Sequence, residues 1–375
     1  MSSPPPNLFV YDSIVFPANQ RGVNRYFLKF VDALVQTYTN RVLVYSQQNL
    51  DIPKSSQIRP LLRLKYLNTF WEIKQRVQKF DLLVAEQMAN MCARVFYSPY
   101  FGSIRTKIPE AYTLPDMIYE KFPQYFPRTD VSVQNFIAQK RACFDRAALI
   151  LPISRSTAKD LLEYYPHLSP ERIKVVYLGV DDLFFKPYLA NKPIKPYFLF
   201  VGNRSLYKNF LRFIDAFGKS GLKKNFDLKI ISPTPVEFSA DENEIIRKHG
   251  LAECIKAEFA ISDNELKKYY AEAYAFVYPT EYEGFGLPVI EALASGTLVL
   301  TSNTSSLPEV GGSSPLYFDP CSVDAIVNAL HFASQMSDSE RRERVAVGKT
   351  WATQFTWENS QKAFVRAIQE LLDEI

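Results

Sequence analysis

Short runs of apolar residues alternate along the chain with longer segments in which apolar residues recur every three or four positions. The short runs are typical of buried strands, and the longer segments are typical of helices that pack one face on a sheet. Strands that alternate with helices predict an α/β fold with parallel sheets. In the first half we predict strands at Leu8–Tyr11, Arg41–Ser46, Leu82–Ala85, Tyr112–Leu114, Ala148–Ile153 and Ile173–Tyr177, and helices at Arg25–Tyr38, at Val131–Arg146 and after Ser154.

The same alternation begins again after Lys186–Pro196, a short, polar, proline-bearing segment that predicts a linker. A length of 375 residues suits two domains of ordinary size. We therefore predict a bilobed enzyme whose active site lies in the cleft, at the carboxyl ends of the strands. The second set has strands at Tyr197–Val201, Phe226–Ile231, Ala275–Tyr278 and Thr297–Thr301, helices at Asn209–Lys219 and Asp263–Tyr274, and a loop at Gly202–Lys208.

Charge and cysteine content exclude several classes of function. A net charge of +4 without a clustered basic stripe argues against nucleic acid as a partner. The cysteines and histidines are scattered and form no Cys-x-x-Cys pair, so neither a metal site nor a disulfide framework is predicted. The N-terminal residues have no signal-peptide pattern, and no apolar run is long enough to span a membrane. We expect a cytoplasmic protein with free thiols.

The segment Glu283–Glu291 carries the strongest chemical signal. The glycines of Gly284–Gly286 let the backbone approach a ligand closely, and Pro288 is a favourable first residue for a helix. A turn that leads into a helix N-terminus is an anion site, because unpaired N–H groups and the helix dipole face the ligand. Taken singly, each glutamate is better explained as a solvated or helix-capping carboxylate. The whole segment, however, suits a ligand with phosphates and hydroxyls, such as a nucleotide sugar.

A second candidate loop, Gly202–Lys208, follows the first strand of the second set. Gly202 permits close approach of the backbone, and Arg204 and Lys208 can neutralise phosphate. A solvated loop before a helix is an equally good interpretation of these residues. Gly22, in the loop expected at residues 17–24, has the same two interpretations.

Residues 275–297 resemble the donor-site signature of glycosyltransferase family 4, whose members are retaining and have the GT-B fold. The similarity continues at 150–161, 175–181, 201–209, 302–311 and 355–358, and it covers roughly residues 8 to 375. Within that family the chain is similar to mannosyl- and glucosyltransferases of bacterial polysaccharide assembly. The resemblance implies two Rossmann-like domains that face each other across a cleft. Residues 1–187 would bind the acceptor, 188–355 the donor, and the helix 356–375 would pack back on the first domain.

The resemblance also implies a role for each matching residue. Glu291 would hold the ribose hydroxyls, and Lys208 would stabilise the departing nucleoside diphosphate, with Arg204 as a helper. Gly22 would let the first-domain loop close on the phosphates. The catalytic candidates are Glu283, Lys208 and Asp116. The donor sugar and diphosphate would be held by Glu283 and by the backbone of Gly202, Gly284, Phe285, Gly286 and Leu287.

The chain departs from the family pattern at two positions. The family commonly has His-Asp where this chain has Pro115-Asp116, so the histidine that would line the cleft near the reacting carbon is missing. The residue before Lys208 is often arginine, but here it is Tyr207. The first departure bears on the catalytic arrangement, and the second on the strength of donor binding.

The implied reaction moves a hexose from a nucleotide diphosphate sugar to a saccharide or polyprenyl-diphosphate-linked acceptor. Its barrier is mostly charge separation, which positioned cations and helix-end dipoles lower. We expect no cofactor and no metal, because Lys208, Arg204 and the helix N-terminus can stabilise the leaving group and no Asp-x-Asp cluster stands in a suitable loop. The donor phosphate would take the acceptor proton. UDP-glucose is the first expectation for the donor and GDP-mannose the second.

The segment 54–79 is rich in basic residues with interleaved leucines and aromatics, and it has one acidic residue, Glu72. Such a helix can lie on an anionic membrane surface, which would give access to a lipid-linked acceptor. An ordinary amphipathic helix with a solvated basic face is an equally good interpretation. The basic residues are Lys54, Arg59, Arg63, Lys65, Lys74, Arg76 and Lys79.

Two other functions stay open beside the transferase. A nucleotide-sugar epimerase can share the bilobed fold, and a sugar-nucleotide-binding protein without catalysis is compatible with Pro115. A nicotinamide dehydrogenase is disfavoured, since no Gly-x-Gly-x-x-Gly follows the first strand.

Overall fold

Two six-stranded parallel sheets confirm the predicted α/β architecture with Rossmann-like domains. The computed structural model describes residues 8–11, 21–38, 41–45, 57–58, 71–189, 193–204, 206–233, 237–259 and 261–375. Unit 1 consists of Met1–Tyr177 and Glu358–Ile375, and unit 2 consists of Leu178–Trp357. The units therefore change at 177/178 and at 357/358, whereas the sequence placed the boundaries after 187 and after 355.

The sheet of unit 1 has the strand order β3-β2-β1-β4-β5-β6, and all its neighbours are parallel. Aromatic residues fill its core, where Phe9 stacks on Phe96 with ring centroids 6.3 Å apart. The strands are β1 (Leu8–Tyr11), β2 (Val42–Tyr45), β3 (Gln57–Ile58), β4 (Val95–Ser98), β5 (Glu110–Leu114) and β6 (Ala147–Pro152).

Helices connect these strands and begin where side chains can cap them. Asp130 accepts a hydrogen bond from the N–H of Ser132 at the start of the fourth helix, and Ser154 accepts one from the N–H of Thr157 at the start of the fifth. Both starts agree with the sequence prediction. The helices are α1 (Arg21–Tyr38), α2 (Trp71–Cys92), α3 (Ile118–Lys121), α4 (Val131–Arg146) and α5 (Arg155–Tyr164).

Two strands predicted for the first half are wrong, and two, β3 and β4, were missed. Leu82–Ala85 lies inside α2, because a short apolar run of this kind fits a helix as well as a strand. Ile173–Tyr177 runs beside β6 but forms only an isolated bridge, between Ile150 and Ile173. The basic segment 54–79 lies largely outside the described residues, and its last part belongs to α2.

The sheet of unit 2 has the strand order β12-β11-β10-β7-β8-β9. Read from the opposite edge, this is the order of the first sheet with six added to each strand number, so that β7 is matched to β1 and β10 to β4. Neighbouring strands of the second sheet are also all parallel. Strands β9 and β12 were not predicted; β9 has no buried residue and β12 has only three residues. The strands are β7 (Tyr197–Val201), β8 (Asp227–Ser232), β9 (Ile255–Phe259), β10 (Ala275–Tyr278), β11 (Val299–Ser302) and β12 (Leu316–Phe318).

Phenylalanines on β7 and on the helix that follows it form the centre of the second core. Phe200 and Phe210 are fully buried, with ring centroids 5.0 Å apart. Burying each such side chain contributes roughly 2–3 kcal/mol, so the strand and the helix are firmly joined. The helices of unit 2 are α6 (Asp182–Phe185), α7 (Phe210–Ser220), α8 (Ala240–His249), α9 (Asp263–Glu272), α10 (Leu287–Ala294), α11 (Leu307–Gly311), α12 (Val323–Gln335) and α13 (Asp338–Ala352).

The last helix, α14 (Trp357–Asp373), belongs to unit 1 from Glu358 onward. The ring of Phe364 stacks on Phe30 of α1 at 4.2 Å, and Gln361 donates a hydrogen bond to the carbonyl of Lys29. This packing agrees with the implied return of the last helix to the first domain. None of the helices in the described ranges has both the length and the apolar character needed to cross a bilayer.

Candidate functional site

The strand order of unit 2 reverses between β7 and β10. From β7 the chain moves to β8 and β9 on one side, and then it returns to β10 on the other side of β7. In an open parallel sheet, the loops that leave the two strands at such a reversal diverge and leave a crevice at the carboxyl edge. The loop after β7 ends in the short helical turn Leu206–Lys208, and the loop after β10 contains Glu283. The topology therefore brings Lys208 and Glu283 to one place.

Lys208 and Glu283 form an ion pair in this crevice. The ammonium Nζ lies 2.6 Å from Oε1 of Glu283, and the two side chains are 15% and 13% exposed. Tyr278, the last residue of β10, joins them, because its hydroxyl donates to the same Oε1 at 2.8 Å and accepts from Lys208 at 3.2 Å. The rings of Tyr207 and Tyr278 have their centroids 5.0 and 5.6 Å from the ammonium. The two aromatic rings and the carboxylate all stabilise the positive charge of the ammonium.

Part of this pair remains available to a ligand. The ammonium has three hydrogens, of which Glu283 and Tyr278 accept two. Within the described residues, the second carboxylate oxygen of Glu283, Oε2, has no hydrogen-bond donor. A hydrogen-bond donor on a cation and an acceptor on a carboxylate thus lie side by side. This combination can bind a phosphate oxygen and a hydroxyl of one ligand.

Burial by itself lowers the pKa of the Lys208 ammonium, but the charge and hydrogen bond of Glu283, together with the hydroxyls of Tyr278 and Tyr207, outweigh burial and hold that pKa well above its usual value. Burial and the same carboxylate raise the pKa of the Tyr278 hydroxyl. Lys208 is therefore a cation, and Tyr278 a neutral hydrogen-bond donor, throughout the physiological range.

The loops that carry the pair are tied to each other. The N–H of Glu281 and the hydroxyl of Thr280 both donate to the carbonyl of Tyr207, at 2.8 and 3.1 Å. Asn209 donates through its side-chain amide to the carbonyl of Pro279 at 2.9 Å. The position of Lys208 relative to Glu283 is therefore set by hydrogen bonds on both sides of the lysine.

The loop after β11 holds the backbone of Glu283. Ser305 accepts a hydrogen bond from the N–H of Glu283 at 3.0 Å, and Ser306 donates to the carbonyl of Glu283 at 2.9 Å. Ser306 also donates to the carbonyl of Phe285 at 2.8 Å. Both serines belong to the segment 302–311 that extended the family resemblance, but their role was not predicted.

Strained backbone surrounds the pair. Among the described residues other than glycine, Leu206, Asn209 and Ser305 have a positive φ, between 51° and 60°. Two of these residues flank Lys208 within three positions, and the third contacts Glu283. Such conformations cost of order 1–3 kcal/mol each and are concentrated at functional sites. The surrounding hydrogen bonds offset this cost.

Gly286 provides the sharp entry into α10. Its φ is 102°, and a Cβ added there would lie 2.8 Å from Cδ2 of Leu307, so a larger residue would be both strained and crowded. Within the described part of the chain, the N–H groups of Gly286 and Leu287 have no hydrogen-bond acceptor. These groups, with the helix dipole behind them, could bind an anion beside Glu283. The turn and helix start agree with the prediction for Gly284–Leu287.

Glu291 has a more enclosed position than the sequence suggested. It is 5% exposed on α10, and the hydroxyl of Tyr270 donates to its Oε2 at 3.2 Å. A ligand would have to share this carboxylate with Tyr270.

Arg204 does not join Lys208 and has a different partner. Its guanidinium forms an ion pair with Glu242 on α8 at 3.0 Å and donates to the carbonyl of Glu237 at 2.8 Å. It also lies over the ring of Phe238, 4.9 Å from the centroid. This side chain ties the loop after β7 to the loop after β8, and its charge is already compensated. The prediction that Arg204 helps to neutralise phosphate gains no support from this geometry.

The other predicted residues stand on other elements, one of them in unit 2 and two in unit 1. Gly202 directly follows β7, with a φ of 139° and open space where a Cβ would be. Gly22 lies in the first turn of α1, which begins at Arg21, so its predicted place in a loop is wrong. Asp116 belongs to unit 1, where one carboxylate oxygen accepts a hydrogen bond from the N–H of Ile118.

Comparisons with known proteins agree with this arrangement. Residues 182–350 match the family model "Glycosyl transferases group 1". The chain is 28% identical to O-antigen chain mannosyltransferase B of Escherichia coli, over 69% of this chain and 70% of that protein. It is 26% identical to O-antigen chain mannosyltransferase RfbU of Salmonella typhimurium, over 77% of this chain and 75% of that protein.

Among solved structures, a sucrose-phosphate synthase from Thermosynechococcus elongatus superimposes with a TM-score of 0.78 and 16% identity, covering 98% of this chain and all of that chain. At this identity the likeness shows the GT-B fold alone. Residues 182–350, which match the glycosyl transferases group 1 model, contain Lys208, Glu283 and Glu291, and the predicted resemblance of the chain to the GT-B glycosyltransferases of bacterial polysaccharide assembly is confirmed.

Proposed function

We propose that this glycosyltransferase moves mannose from a nucleotide diphosphate sugar to a saccharide or polyprenyl-diphosphate-linked acceptor in polysaccharide biosynthesis. The observation that carries the proposal is the pairing of Lys208 with Glu283 at the start of α10, where one ammonium hydrogen and one carboxylate oxygen remain open side by side. A donor sugar linked to a diphosphate presents the matching groups, a hydroxyl and a phosphate oxygen.

In this proposal each group at the crevice meets one part of the donor. Lys208 contacts the diphosphate and offsets the charge that develops as the bond from sugar to phosphate breaks. Glu283 accepts a hydrogen bond from a sugar hydroxyl through Oε2, and the N–H groups of Gly286 and Leu287 bind phosphate oxygens. Glu291 binds the ribose while sharing its carboxylate with Tyr270. The reaction then needs no metal ion, and transfer rates should be unchanged by a chelator such as EDTA.

The donor is proposed from the names of the relatives. Both curated relatives are O-antigen mannosyltransferases, which supports mannose ahead of glucose and therefore GDP-mannose ahead of UDP-glucose. A thermal-shift panel of UDP, GDP, ADP and their sugars tests this order, because a ligand that binds only the folded chain raises its melting temperature. Stabilisation by UDP-glucose alone would restore glucose as the transferred sugar.

Transfer itself is tested by incubating the chain with radiolabelled GDP-mannose and a panel of saccharide and lipid-linked acceptors. A labelled product with an α-anomeric configuration, measured by NMR, supports a retaining transfer from the α-linked donor. Conversion of the donor to another nucleotide sugar without acceptor would indicate an epimerase. Binding without hydrolysis or transfer under any condition would indicate a binding protein.

We also propose that Asp116 is not the acid or base of the reaction. The side chain accepts a backbone hydrogen bond that shapes the start of α3, and with retention on one face the donor phosphate can take the acceptor proton. The variant Asp116→Asn should keep transfer within about tenfold of the unchanged chain, the difference that about 1.4 kcal/mol makes in a barrier. A loss of a thousandfold in a folded variant would return Asp116 to a catalytic role.

The basic segment 54–79 supports a further part of the proposal, peripheral contact with an anionic membrane. Co-sedimentation with vesicles of phosphatidylglycerol should exceed that with phosphatidylcholine vesicles, and high salt should remove the difference. Equal binding to both kinds of vesicle would contradict membrane contact and leave the transferase proposal intact.

A further inference from the structure

We infer that Tyr278 is a positioning residue of the candidate site, which keeps the Lys208–Glu283 pair open for a ligand. Its hydroxyl holds Oε1 of Glu283 and one hydrogen of Lys208, and thereby leaves Oε2 and the third ammonium hydrogen for the donor sugar and its phosphate. The inference rests on the proposed function for the identity of the ligand, but the hydrogen bonds that carry it are internal to unit 2.

The sheet, rather than a loop, sets the place of this hydroxyl. Tyr278 is 2% exposed, and its ring stacks on that of Phe276, two residues earlier on the same face of β10, at 5.6 Å. Its carbonyl accepts a hydrogen bond from the hydroxyl of Thr301 on the neighbouring strand at 3.0 Å. Lys208 and Glu283 both stand on loops, so the tyrosine is the fixed point to which both side chains are attached.

The hydrogen-bond donors and acceptors of the cluster show that the Tyr278 hydroxyl prevents the ion pair from closing. A tyrosine hydroxyl donates one hydrogen, and here that hydrogen goes to Oε1 of Glu283. If the hydroxyl is removed, Lys208 gains a second free hydrogen and Oε1 loses a donor. The carboxylate can then turn so that both of its oxygens contact the ammonium. A pair closed in this way no longer offers Oε2 to a sugar hydroxyl.

The variant Tyr278→Phe removes the hydroxyl and keeps the ring. We expect its affinity for a nucleotide sugar to fall about tenfold, the size of one hydrogen bond to a charged group. Affinity for the nucleoside diphosphate alone should change less than about threefold, because the diphosphate needs only the ammonium and the helix end. A general loosening of the fold would weaken the binding of both ligands equally. The ratio of the two affinities therefore distinguishes a positioning role of Tyr278 from a purely structural one.

Tyr197→Phe is the matched control. Tyr197 is a fully buried tyrosine at the start of β7 whose hydroxyl donates to the carbonyl of Tyr269 at 2.8 Å. Its substitution also removes one buried hydrogen bond from unit 2, but at the opposite end of a strand. We expect the ratio of nucleotide-sugar to nucleotide affinity to be that of the unchanged chain, with a loss of melting temperature similar to that of Tyr278→Phe.

Isothermal titration with GDP, UDP, GDP-mannose and UDP-glucose, and crystal structures of the unchanged chain and Tyr278→Phe without ligand, test the inference. Both Glu283 oxygens within hydrogen-bond distance of Lys208 in the variant would support it. A carboxylate that stays in place, or an unchanged affinity ratio in a chain that binds nucleotide sugar, would overturn it. If the unchanged chain binds no nucleotide sugar, the proposed function fails, and the crystal structures alone decide whether Tyr278 holds the pair open.

Discussion

Each unit contains a lysine, buried in unit 1 and partly buried in unit 2, paired with a glutamate that also accepts a hydrogen bond from a tyrosine. In unit 1, Nζ of Lys140 lies 3.0 Å from Glu120, and Tyr165 donates to the other oxygen of Glu120 at 3.2 Å. In unit 2, Lys208, Glu283 and Tyr278 repeat these residue types. The two clusters nevertheless have different consequences, because they differ in which carboxylate oxygens accept a hydrogen bond within the described residues.

The cluster of unit 1 is closed. Both carboxylate oxygens of Glu120 have a donor, and Lys140 also donates to the carbonyl of Asp116 at 2.8 Å. The two charged side chains are only 1% and 4% exposed. They join α3 to α4, two consecutive helices. In unit 2 the tyrosine and the lysine share one oxygen of Glu283, and the pair lies between two loops at a sheet edge. A buried glutamate with donors on both oxygens stabilises the fold, whereas a glutamate with one open oxygen at a sheet edge can bind a ligand.

The largest effect is expected at the closed cluster. Lys140→Met leaves the Glu120 carboxylate buried without its cation, which should lower the free energy of unfolding by about 3–5 kcal/mol. Urea denaturation measures this loss. Arg141→Met is the control, since Arg141 is 64% exposed in its pair with Asp145, and it should change stability by no more than roughly 0.5 kcal/mol. Equal effects of the two variants would remove the distinction between a closed cluster and a surface pair.

Substitutions in the open cluster, formed by Lys208, Glu283 and Tyr278, should lower the transfer rate more than the stability. Lys208→Met should reduce transfer by about 10²–10³-fold, because a positioned charge at the leaving group is lost. Its free energy of unfolding should fall by less than that of Lys140→Met, since the partly exposed Glu283 can turn toward water. Parallel measurements of transfer rate and urea denaturation check both statements. Lys219→Met, at a lysine 47% exposed on α7, should leave transfer unchanged. A folded Lys208→Met with full activity would contradict the assignment of the open cluster.

A third ionic cluster, on α7 and α8, should stabilise the chain at neutral pH and lose its effect in acid. Burial raises the pKa of Asp215, but hydrogen bonds from Lys219 and His249 outweigh burial and lower that pKa from 3.8 to about 2. Since the folded pKa is depressed, the stability that Asp215 contributes is present above pH 4 and disappears as the pH falls through about 2. Asp215→Asn should therefore cost on the order of 2 kcal/mol at pH 7. The difference in unfolding free energy between the unchanged chain and Asp215→Asn should be smaller at pH 3 than at pH 7. The corresponding difference for Tyr278→Phe should not show this dependence on pH.

The smallest effect concerns the turn between Glu283 and α10. Gly286→Ala should weaken nucleotide-sugar binding by about tenfold, because a residue with a Cβ at a φ of 102° costs roughly 1–2 kcal/mol and the Cβ would press on Leu307. Gly221→Ala imposes similar backbone strain at a φ of 71°, with open space around the Cβ, in a turn after α7. Both variants should lose some stability, but only Gly286→Ala should lose affinity in isothermal titration.

Local sequence was sufficient to single out two residues of the open cluster, but it was insufficient for the third residue and for Arg204. Lys208 and Glu283 were predicted because each stands in a distinctive loop that follows a strand. Tyr278 was read only as part of a buried strand, since the use of its hydroxyl depends on where the strand ends relative to both loops. Arg204 was assigned to phosphate because nothing near it in sequence shows that Glu242, 38 positions later, would pair with it.

The errors in the fold have similar causes. Leu82–Ala85 is a short apolar run whose helical surroundings extend far beyond it, from Trp71 to Cys92. Ile173–Tyr177 has the composition of a strand, but it donates hydrogen bonds to β6 without forming a ladder beyond one bridge. Gly22 was placed in a loop because glycine weakens a helix, yet α1 begins one residue before it.

The return of α14 to unit 1 has a consequence for synthesis of the chain. Unit 2 is continuous, so all of its residues have left the ribosome when Trp357 emerges, whereas unit 1 lacks the partner of Phe30 until Phe364 has followed. Unit 1 is therefore completed after unit 2. A chain whose synthesis stops between Trp357 and Phe364 would contain all of unit 2 but would leave Phe30 of α1 without the ring that stacks on it, and exposed apolar surface of this kind promotes aggregation and chaperone binding.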